Sequence, residues 1–131
     1  MTQVTIDTTN VFHKAFKSDT RITCLQGGTR SSKTYSLCQL FIVKALRETG
    51  KVFTICRKTL PALKGTAYRD VLELLKELGL YSEEHHNKSE LSYSLNGNLL
   101  EFISVDQPQK IRGRKRNYLW LNEANEFTYE D

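Results

Sequence analysis

Two periodicities of apolar residues divide the first half of the chain into candidate helices and strands. Apolar residues cluster from Arg21 to Gln26 and from Lys51 to Arg57, which predicts two strands. Between them, helical spacing from about Lys33 to Glu48 predicts a long helix that ends before Gly50. A short helix is expected earlier, from Asn10 to about Phe16. The long helix is expected to bury a broad face that contains Tyr35, Leu37, Cys38, Leu40, Phe41, Ala45 and Leu46.

A further helix is predicted after a loop that contains Pro61. Thr66 is a suitable N-cap, and the helical spacing continues to about Leu78, where Gly79 ends the helix. The residues expected to face the core are Val71, Leu72, Leu74, Leu75 and Leu78.

The pattern then changes to that of strands. Leu91 to Leu95 alternates, Asn96-Gly97 favours a two-residue hairpin turn, and Leu99 to Val105 forms the return strand. A last short strand is predicted from Asn117 to Asn122. The order strand, helix, strand, helix, hairpin, strand predicts an α/β fold with a mainly parallel sheet and an antiparallel hairpin.

Composition limits the class of protein. The chain has 131 residues with 39% hydrophobic and 26% charged residues, which predicts one folded domain, residues 1–131, and excludes a disordered chain. No apolar stretch approaches the roughly 20 residues that cross a bilayer, so we expect no membrane association. The amino terminus lacks a secretory signal, and the three cysteines form no CxxC pair, which favours a reducing, intracellular setting. Only eight residues follow Glu123, so we expect a fragment that is incomplete at its carboxyl end.

Charge is unevenly distributed around a formal net charge of +4. The stretch from Gln107 to Asn122 contains no acidic residue, and its basic residues are Lys110, Arg112, Arg114, Lys115 and Arg116. This stretch is either a solvated loop or a surface for the phosphates of a nucleotide or a nucleic acid. Charge alone leaves both interpretations open.

A glycine-rich segment between the first strand and the long helix carries the main chemical signal. It fits the pattern G-x-x-x-x-G-K-[ST] except at Ser32, and its residues are Gly27, Gly28, Thr29, Arg30, Ser31, Ser32, Lys33 and Thr34. In such a loop, successive backbone N–H groups and the helix dipole bind phosphate. Lys33 is expected at the β- and γ-phosphates of ATP, and the Thr34 hydroxyl at Mg²⁺. Ser32 costs about 1 to 2 kcal/mol if its backbone needs positive φ.

The last predicted strand adds a second signal. It delivers Asn122 and Glu123 at its carboxyl end, the edge at which open α/β sheets bind ligands. Glu123 is the candidate base that activates the attacking water. Asn122 occupies the position at which an Asp commonly binds the water ligands of Mg²⁺. Its amide can hydrogen-bond such a water but supplies no negative charge. A solvated strand end is the alternative interpretation of both residues.

Together these segments resemble the ATPase domain of phage terminase large subunits. The similar stretches are GGTRSSKT from Gly27, CRKTLPALKGT from Cys56 and IRGRKRNYLWLNEAN from Ile111, so that the resemblance extends from about Arg21 to Asn125. It implies a three-layer fold of the P-loop NTPase type and an ATP hydrolase with catalytic residues Glu123, Lys33 and Arg30. The resemblance implies that Arg30 senses the γ-phosphate. The alternative interpretation is that Arg30 is a turn residue that faces solvent.

The resemblance also implies partners and a setting. The expected function is an ATPase motor that packages double-stranded DNA into procapsids as a homo-oligomeric ring, with a portal protein and a small terminase subunit, in the host cytoplasm. Arg57, Lys58 and Thr59, like Arg112 and Gly113, are expected near the nucleotide, although a helix-entry loop explains the first three equally well. A nuclease domain is not expected in these residues. Two alternatives remain: a helicase-like P-loop ATPase, or a truncated nucleotide- or DNA-binding domain without turnover.

Overall fold

The computed structural model describes residues 33–106 and 116–123. The predicted helix at 10–16 and the predicted strand at 21–26 lie outside these residues. The first described elements in chain order are helix α1 (Lys33–Arg47), strand β1 (Val52–Arg57), helix α2 (Leu60–Leu63), a π-helical turn (Lys64–Tyr68) and helix α3 (Arg69–Glu77). A 3-10 turn (Glu83–His85) then leads to strands β2 (His86–Asn87), β3 (Ser92–Leu95), β4 (Asn98–Ser104) and β5 (Tyr118–Leu121).

The described strands form one sheet in the order β2-β3-β4-β1-β5. β1 pairs in parallel with β4 and with β5, while β3 pairs antiparallel with β2 and with β4. The α/β class and the predicted hairpin are therefore confirmed. Within the described residues the sheet is mixed, with two parallel and two antiparallel pairings, instead of mainly parallel. The two-residue strand β2 adds an antiparallel pairing that the sequence pattern did not indicate.

One apolar core joins the helices to one face of the sheet. Phe53 of β1 is in register with Leu100 of β4 and Tyr118 of β5, so these side chains share that face. Phe41 of α1 packs edge-on against Phe53 at 5.5 Å and against Trp120 at 5.8 Å between ring centroids. Such aromatic contacts add about 0.5 to 1.5 kcal/mol each to the gain from burial. They fix α1 across β1 and β5.

The buried face of α1 differs from the prediction mainly at Tyr35 and Ile42, while Leu37 and Leu46 are partly buried. Tyr35 is 40% exposed, although it was expected in the core, and Ile42 is fully buried, although it was not. Cys38, Ile42 and Ala45 are all fully buried and recur at helical spacing, so the face that packs on the sheet is centred on Ile42. Tyr35 lies on nearly the same side of the helix, about 20° from Ile42, because seven residues turn an α-helix by slightly less than two full turns. It differs from Ile42 in its place along the axis, since it belongs to the first turn of α1.

The carboxyl end of α1 is capped by two asparagines from the hairpin. The Asn98 side chain is buried, and its Nδ2 donates to the carbonyl oxygens of Ala45 at 2.6 Å and Glu48 at 2.8 Å. Asn96 Nδ2 donates to the carbonyl of Leu46 at 3.2 Å. Asn96 and Gly97 both have positive φ, at 53° and 78°, as the predicted tight turn requires. The same turn therefore closes the hairpin and supplies hydrogen-bond donors to the last carbonyl groups of α1, which have no partner within the helix.

The second helical segment begins earlier than predicted. Thr59, and not Thr66, is its N-cap: Thr59 Oγ1 accepts from the backbone N–H of Ala62 at 3.4 Å, and Pro61 lies in the first turn. Proline fits that position because the first helical N–H groups have no intrahelical partner. Thr66 lies inside the π-helical turn, where its hydroxyl donates to the carbonyl of Ala62 at 2.7 Å.

The end of this segment is as predicted. Gly79 has φ of +72°, and its N–H donates to the backbone carbonyl of Lys76. The N–H of Leu80 donates to the backbone carbonyl of Leu75, which completes a Schellman motif. Of the residues expected to face the core, Val71, Leu74 and Leu75 are buried, whereas Leu72 and Leu78 are partly buried. No helix within the described ranges combines the length and the apolar character that a membrane span requires.

Candidate functional site

Three parallel strands bring their carboxyl ends to one edge of the sheet. Asn122 and Glu123 follow β5, Arg57 ends β1, and Asp106 follows β4 after the buried Ser104. We call this the carboxyl edge. The edge of a parallel sheet at which strands end is where α/β proteins bind their ligands.

Helix α1 runs antiparallel to β5. Lys44 Nζ lies 5.3 Å from the ring centroid of Tyr118, the first residue of β5, whereas Phe41 packs on Trp120, two residues further along the strand. Moving toward the amino end of the helix therefore means moving toward the carboxyl end of the strand. Lys33 lies about 12 Å along α1 from Phe41, since each helical residue rises about 1.5 Å. The amino end of α1 consequently points toward the carboxyl edge.

The predicted phosphate loop is only partly within the described residues. Positions 27–32 lie outside them, including Arg30, and so do Arg112 and Gly113. Lys33 is the first residue of α1, and Thr34 follows it in the first turn as a half-buried side chain. The predicted helix is confirmed from Lys33, the first described residue, onward. A helix amino end offers unpaired N–H groups and a positive dipole end, both of which favour anions.

Asn122 is buried, and its side-chain oxygen accepts no hydrogen bond from the described part of the chain. Its backbone N–H donates to the Cys56 carbonyl at 2.8 Å, which continues the pairing of β5 with β1, and the residue is only 4% exposed. Among the described residues, no hydrogen bond reaches its Oδ1. A buried polar atom in this state costs about 1 to 3 kcal/mol. An oxygen left unsatisfied at a ligand-binding edge is typical of a group that a ligand or its water completes.

Glu123 adopts a left-handed backbone conformation. Its φ is +55°, and its side chain is half-buried at the end of β5. For a residue with a Cβ this conformation costs about 1 to 3 kcal/mol, and such strain is concentrated at active sites and switch regions. Residues 122–123 form a turn directly after β5. The two residues predicted as chemically active thus differ from ordinary strand ends, one by an unsatisfied oxygen and the other by backbone strain.

Arg57, at the end of β1, and Thr59 hold the second helical segment in place. Arg57 Nη1 donates to Thr66 Oγ1 at 2.7 Å and to the carbonyl of Ala62 at 3.5 Å. Thr59 caps α2. For these two residues, the contacts favour the helix-entry interpretation over direct contact with phosphate.

Asp106 is a further residue at this edge that the sequence pattern did not indicate. Its Oδ1 accepts from the Ser104 hydroxyl at 2.5 Å, and its Oδ2 accepts from the backbone N–H of Leu60 at 3.2 Å. The second contact places a carboxylate at the amino end of α2, where it satisfies an orphan donor. An exposed Asp after a strand carries no sequence signal for this contact, because its partner lies 46 positions away.

A second polar cluster lies at the opposite end of the strand order, around His86 of β2. Its Nε2 lies 2.6 Å from the Tyr68 hydroxyl and its Nδ1 lies 2.8 Å from the Tyr81 hydroxyl. Burial, followed by the charges of Lys88 and Lys76, lowers the pKa of His86 below its usual value. A neutral imidazole has one donor and one acceptor, so one tyrosine donates and the other accepts.

An open polar cavity of about 640 Å³ lies beside this cluster. It is lined by Glu84, His85, His86, Asn87, Lys88, Ser89, Ser92 and Ser94. β2 and β5 are the two outer strands of the described sheet, so the cavity and the Asn122–Glu123 end lie at opposite sides of that sheet. Within the described ranges, no three His, Cys, Asp or Glu residues are grouped so as to hold a metal ion.

Comparison with known proteins gives a family match. The model of the family described as phage terminase large subunit matches residues 19–131, which is most of the chain. No curated protein and no solved structure matches. The matched range includes the glycine-rich segment, α1 and the whole described sheet.

Proposed function

This chain belongs to the phage terminase large subunit family, and we propose that it is the ATP-hydrolysing motor part of such a subunit. Family membership indicates a role in phage DNA packaging. The proposed activity couples hydrolysis of Mg·ATP to movement of double-stranded DNA into procapsids. The observation that carries the proposal is the Oδ1 of Asn122, which no described group satisfies, beside the strained Glu123, at the edge toward which the amino end of α1 points.

We assign the phosphates of ATP to the segment Gly27–Thr34, in a fold of the P-loop NTPase type. Backbone N–H groups of this glycine-rich segment and the amino end of α1 bind the phosphate oxygens. Lys33 adds a positive charge near the β- and γ-phosphates, and Arg30 contacts the γ-phosphate. The direction of α1 supports this assignment, because the helix dipole is then directed at the same edge as Glu123.

Thr34 and Asn122 are the residues that fit a magnesium ion. Mg²⁺ prefers oxygen ligands and keeps several of its waters, so a hydroxyl and an amide oxygen suit it as a direct ligand and as a partner of bound water. The Asn122 oxygen is buried and unsatisfied within the described part of the chain, which matches such a role. When bound, the ion neutralises charge on the phosphate oxygens. Because Asn122 is neutral, we expect weaker binding of Mg²⁺ than an aspartate would give.

Glu123 is the proposed general base. Its carboxylate accepts the proton of the water that attacks the γ-phosphate, while Lys33 and Arg30 stabilise the charge that develops on the phosphate oxygens. The αL backbone at Glu123 fixes the direction in which this side chain leaves the strand. Rigid placement of the base is what makes proton transfer efficient.

The proposed partners follow from the family and from charge. Double-stranded DNA is bound through phosphate contacts of basic residues, which include Lys110, Arg112, Arg114 and Lys115. A portal protein, a small terminase subunit and further copies of the subunit in a ring complete the proposed motor. Its site of action is the host cytoplasm, on the procapsid.

Steady-state phosphate release from Mg·ATP tests the proposal. We expect turnover by the wild type, at least a hundredfold less with Glu123→Gln, and a similar loss with Lys33→Ala. Lys64→Ala and Glu77→Gln are matched controls, since both residues are exposed and lie away from β5 on the second helical segment. Equal phosphate release by the wild type and by Lys33→Ala and Glu123→Gln rejects the ATPase assignment. A nucleotide-binding domain without turnover is then the better interpretation.

A further inference from the structure

A buried polar cluster lies on the face of the sheet opposite the apolar core. Thr54 of β1 is in register with Glu101 of β4, and Thr54 Oγ1 donates to Glu101 Oε1 at 2.6 Å. Arg116 Nε lies 3.3 Å from the same oxygen, in an ion pair. Thr54 is fully buried and Glu101 is 2% exposed. A carboxylate in such surroundings is stable only when hydrogen bonds and an opposite charge compensate it.

The ion pair connects strands that are not neighbours. Arg116 precedes β5 by two positions, and β1 lies between β5 and β4 in the sheet. The pair therefore ties the amino end of β5 to β4 across β1. Asn117 adds two contacts to β1: its N–H donates to the Val52 carbonyl at 3.0 Å, and its Oδ1 accepts from Val52 N–H at 2.9 Å.

β5 needs such an anchor because it is short. It has four residues, and in the described sheet it is hydrogen-bonded to β1 only. A slip by one residue would move every side chain by about 3.3 Å and invert the face on which it lies. A slip would also withdraw Arg116 from a carboxylate that is buried. The loss of this ion pair at a buried carboxylate opposes any displacement of the strand.

We infer that Glu101 and Arg116 are positioning residues whose ion pair holds β5, and with it the Asn122–Glu123 end, in register with β1. Glu123 lies only seven positions after Arg116, so a change in the tilt or register of β5 changes where its carboxylate lies. The catalytic consequence rests on the proposed role of Glu123. The structural consequence, the order of β5, does not.

Hydrogen exchange and fluorescence test the structural consequence. The Asn122 amide bonds to the Cys56 carbonyl at the far end of β5, and Trp120 is the only tryptophan of the chain. In Arg116→Met and in Glu101→Gln we expect exchange of the Asn122 amide to accelerate about tenfold or more, and acrylamide quenching of Trp120 to rise. The amide of Ile42 in α1 should stay protected, which separates loosening of β5 from global unfolding.

A double variant keeps the test valid if a single variant does not fold. Arg116→Met combined with Glu101→Gln removes both charges of the pair together, and it still lacks the ion pair. We expect the same fast exchange at Asn122. Arg69→Met is the matched control, because Arg69 pairs with Asp70 at 3.5 Å on the surface and its loss should leave Asn122 and Trp120 unchanged. Unchanged exchange and quenching in the folded double variant would overturn the inference.

Turnover tests the catalytic consequence. We expect kcat for Mg·ATP to fall about tenfold or more in the double variant with KM within about twofold, because a misplaced base slows the chemical step without removing phosphate contacts. A loosened β5 with unchanged kcat contradicts the link to Glu123. A loosened β5 in a chain whose wild type releases no phosphate supports the positioning role and rejects the proposed function instead.

Discussion

The hydroxyl of Tyr118 lies 2.7 Å from both carboxylate oxygens of Glu48, which binds the first residue of β5 to the segment that directly follows α1. Lys44 lies over the same ring at 5.3 Å from its centroid. These contacts join α1 and β5 at one end. Because the two elements are antiparallel, the amino end of α1 at Lys33 lies toward the carboxyl edge, to which Glu123 belongs. The relationship therefore couples the two segments to which we assign nucleotide binding and hydrolysis.

Removing this hydroxyl should destabilise the protein. Tyr118→Phe loses a hydrogen bond to a charged acceptor in a partly buried position, and we expect the free energy of unfolding to fall by about 1 to 2 kcal/mol. Glu48→Gln keeps an oxygen acceptor and should lose less. Urea denaturation followed by Trp120 fluorescence measures both changes. Equal stability of Tyr118→Phe and the wild type would show that the bond contributes nothing.

The same bond predicts a dependence of stability on alkaline pH. The Glu48 carboxylate, with burial as a smaller cause, raises the pKa of Tyr118 to about 12. The unfolded chain, with a tyrosine pKa of about 10, releases this proton first. The stabilisation by Tyr118 is therefore complete below about pH 10 and is lost as the pH rises toward 12.

Urea midpoints of the wild type and Tyr118→Phe across that range measure the effect. Their difference should shrink as the pH rises from about 10 to 12. A difference that stays constant over this range, while both proteins remain folded, contradicts the assigned hydrogen bond.

Asn98 should be among the most sensitive polar positions. Its amide donates to Ala45 and Glu48 while its Oδ1 accepts from Lys51 N–H at 3.0 Å. Asn98→Ala removes these contacts from a buried site, and we expect a loss of about 2 to 4 kcal/mol in unfolding free energy. Asn98→Asp should lose at least as much, because a carboxylate would face the carbonyl oxygens of α1. Ser94→Ala, at an exposed position of the same hairpin, is the control for thermal or urea denaturation.

The residues that mark these elements differ in how far sequence can reveal their role. Asn96-Gly97 and Gly79 specify their turns locally, through backbone conformations that glycine and asparagine adopt readily, so the hairpin and the end of α3 were predictable. The cap at Thr59 was missed because Pro61 suggested a loop, although proline also suits a first helical turn.

Other features depend on contacts between distant positions. Glu101 lies among apolar residues of β4, and only the fold reveals that Arg116 and Thr54 compensate its charge. Asn122 and Glu123 were predictable as the polar end of an apolar strand. The unsatisfied oxygen of the first and the positive φ of the second required the structure.

The strain at Glu123 predicts opposite effects on stability and activity. Glycine adopts positive φ without a Cβ penalty, so Glu123→Gly should be about 1 kcal/mol more stable than Glu123→Ala, which keeps the strain. Both variants should lose phosphate release. Chemical denaturation of the two variants measures the difference. If Glu123→Ala is as stable as Glu123→Gly, the backbone at this position is not strained.

Substitutions of Asn122 should also affect stability and activity differently. Asn122→Leu removes a polar atom that has no hydrogen-bond partner among the described residues, so the unfolding free energy of the variant should stay within about 1 kcal/mol of the wild type or rise. Asn122→Asp should lower the Mg²⁺ concentration that gives half-maximal phosphate release, since a carboxylate binds the ion and its waters more strongly. Magnesium titrations of turnover measure this shift. A requirement for Mg²⁺ that is the same in Asn122→Asp, Asn122→Leu and the wild type would exclude Asn122 from the metal site.

The central claim is that the segment ending at Lys33 and Thr34 binds the phosphates of ATP and that Glu123 then activates water. A single-turnover experiment with γ-labelled ATP and Mg²⁺, which records bound ATP and released phosphate in the same samples, separates these two roles. We predict that Glu123→Gln retains bound ATP and releases phosphate at least about a hundredfold more slowly than the wild type, and that Lys33→Ala binds little ATP. Retention of ATP by Lys33→Ala together with phosphate release by Glu123→Gln at the rate of the wild type would contradict the claim.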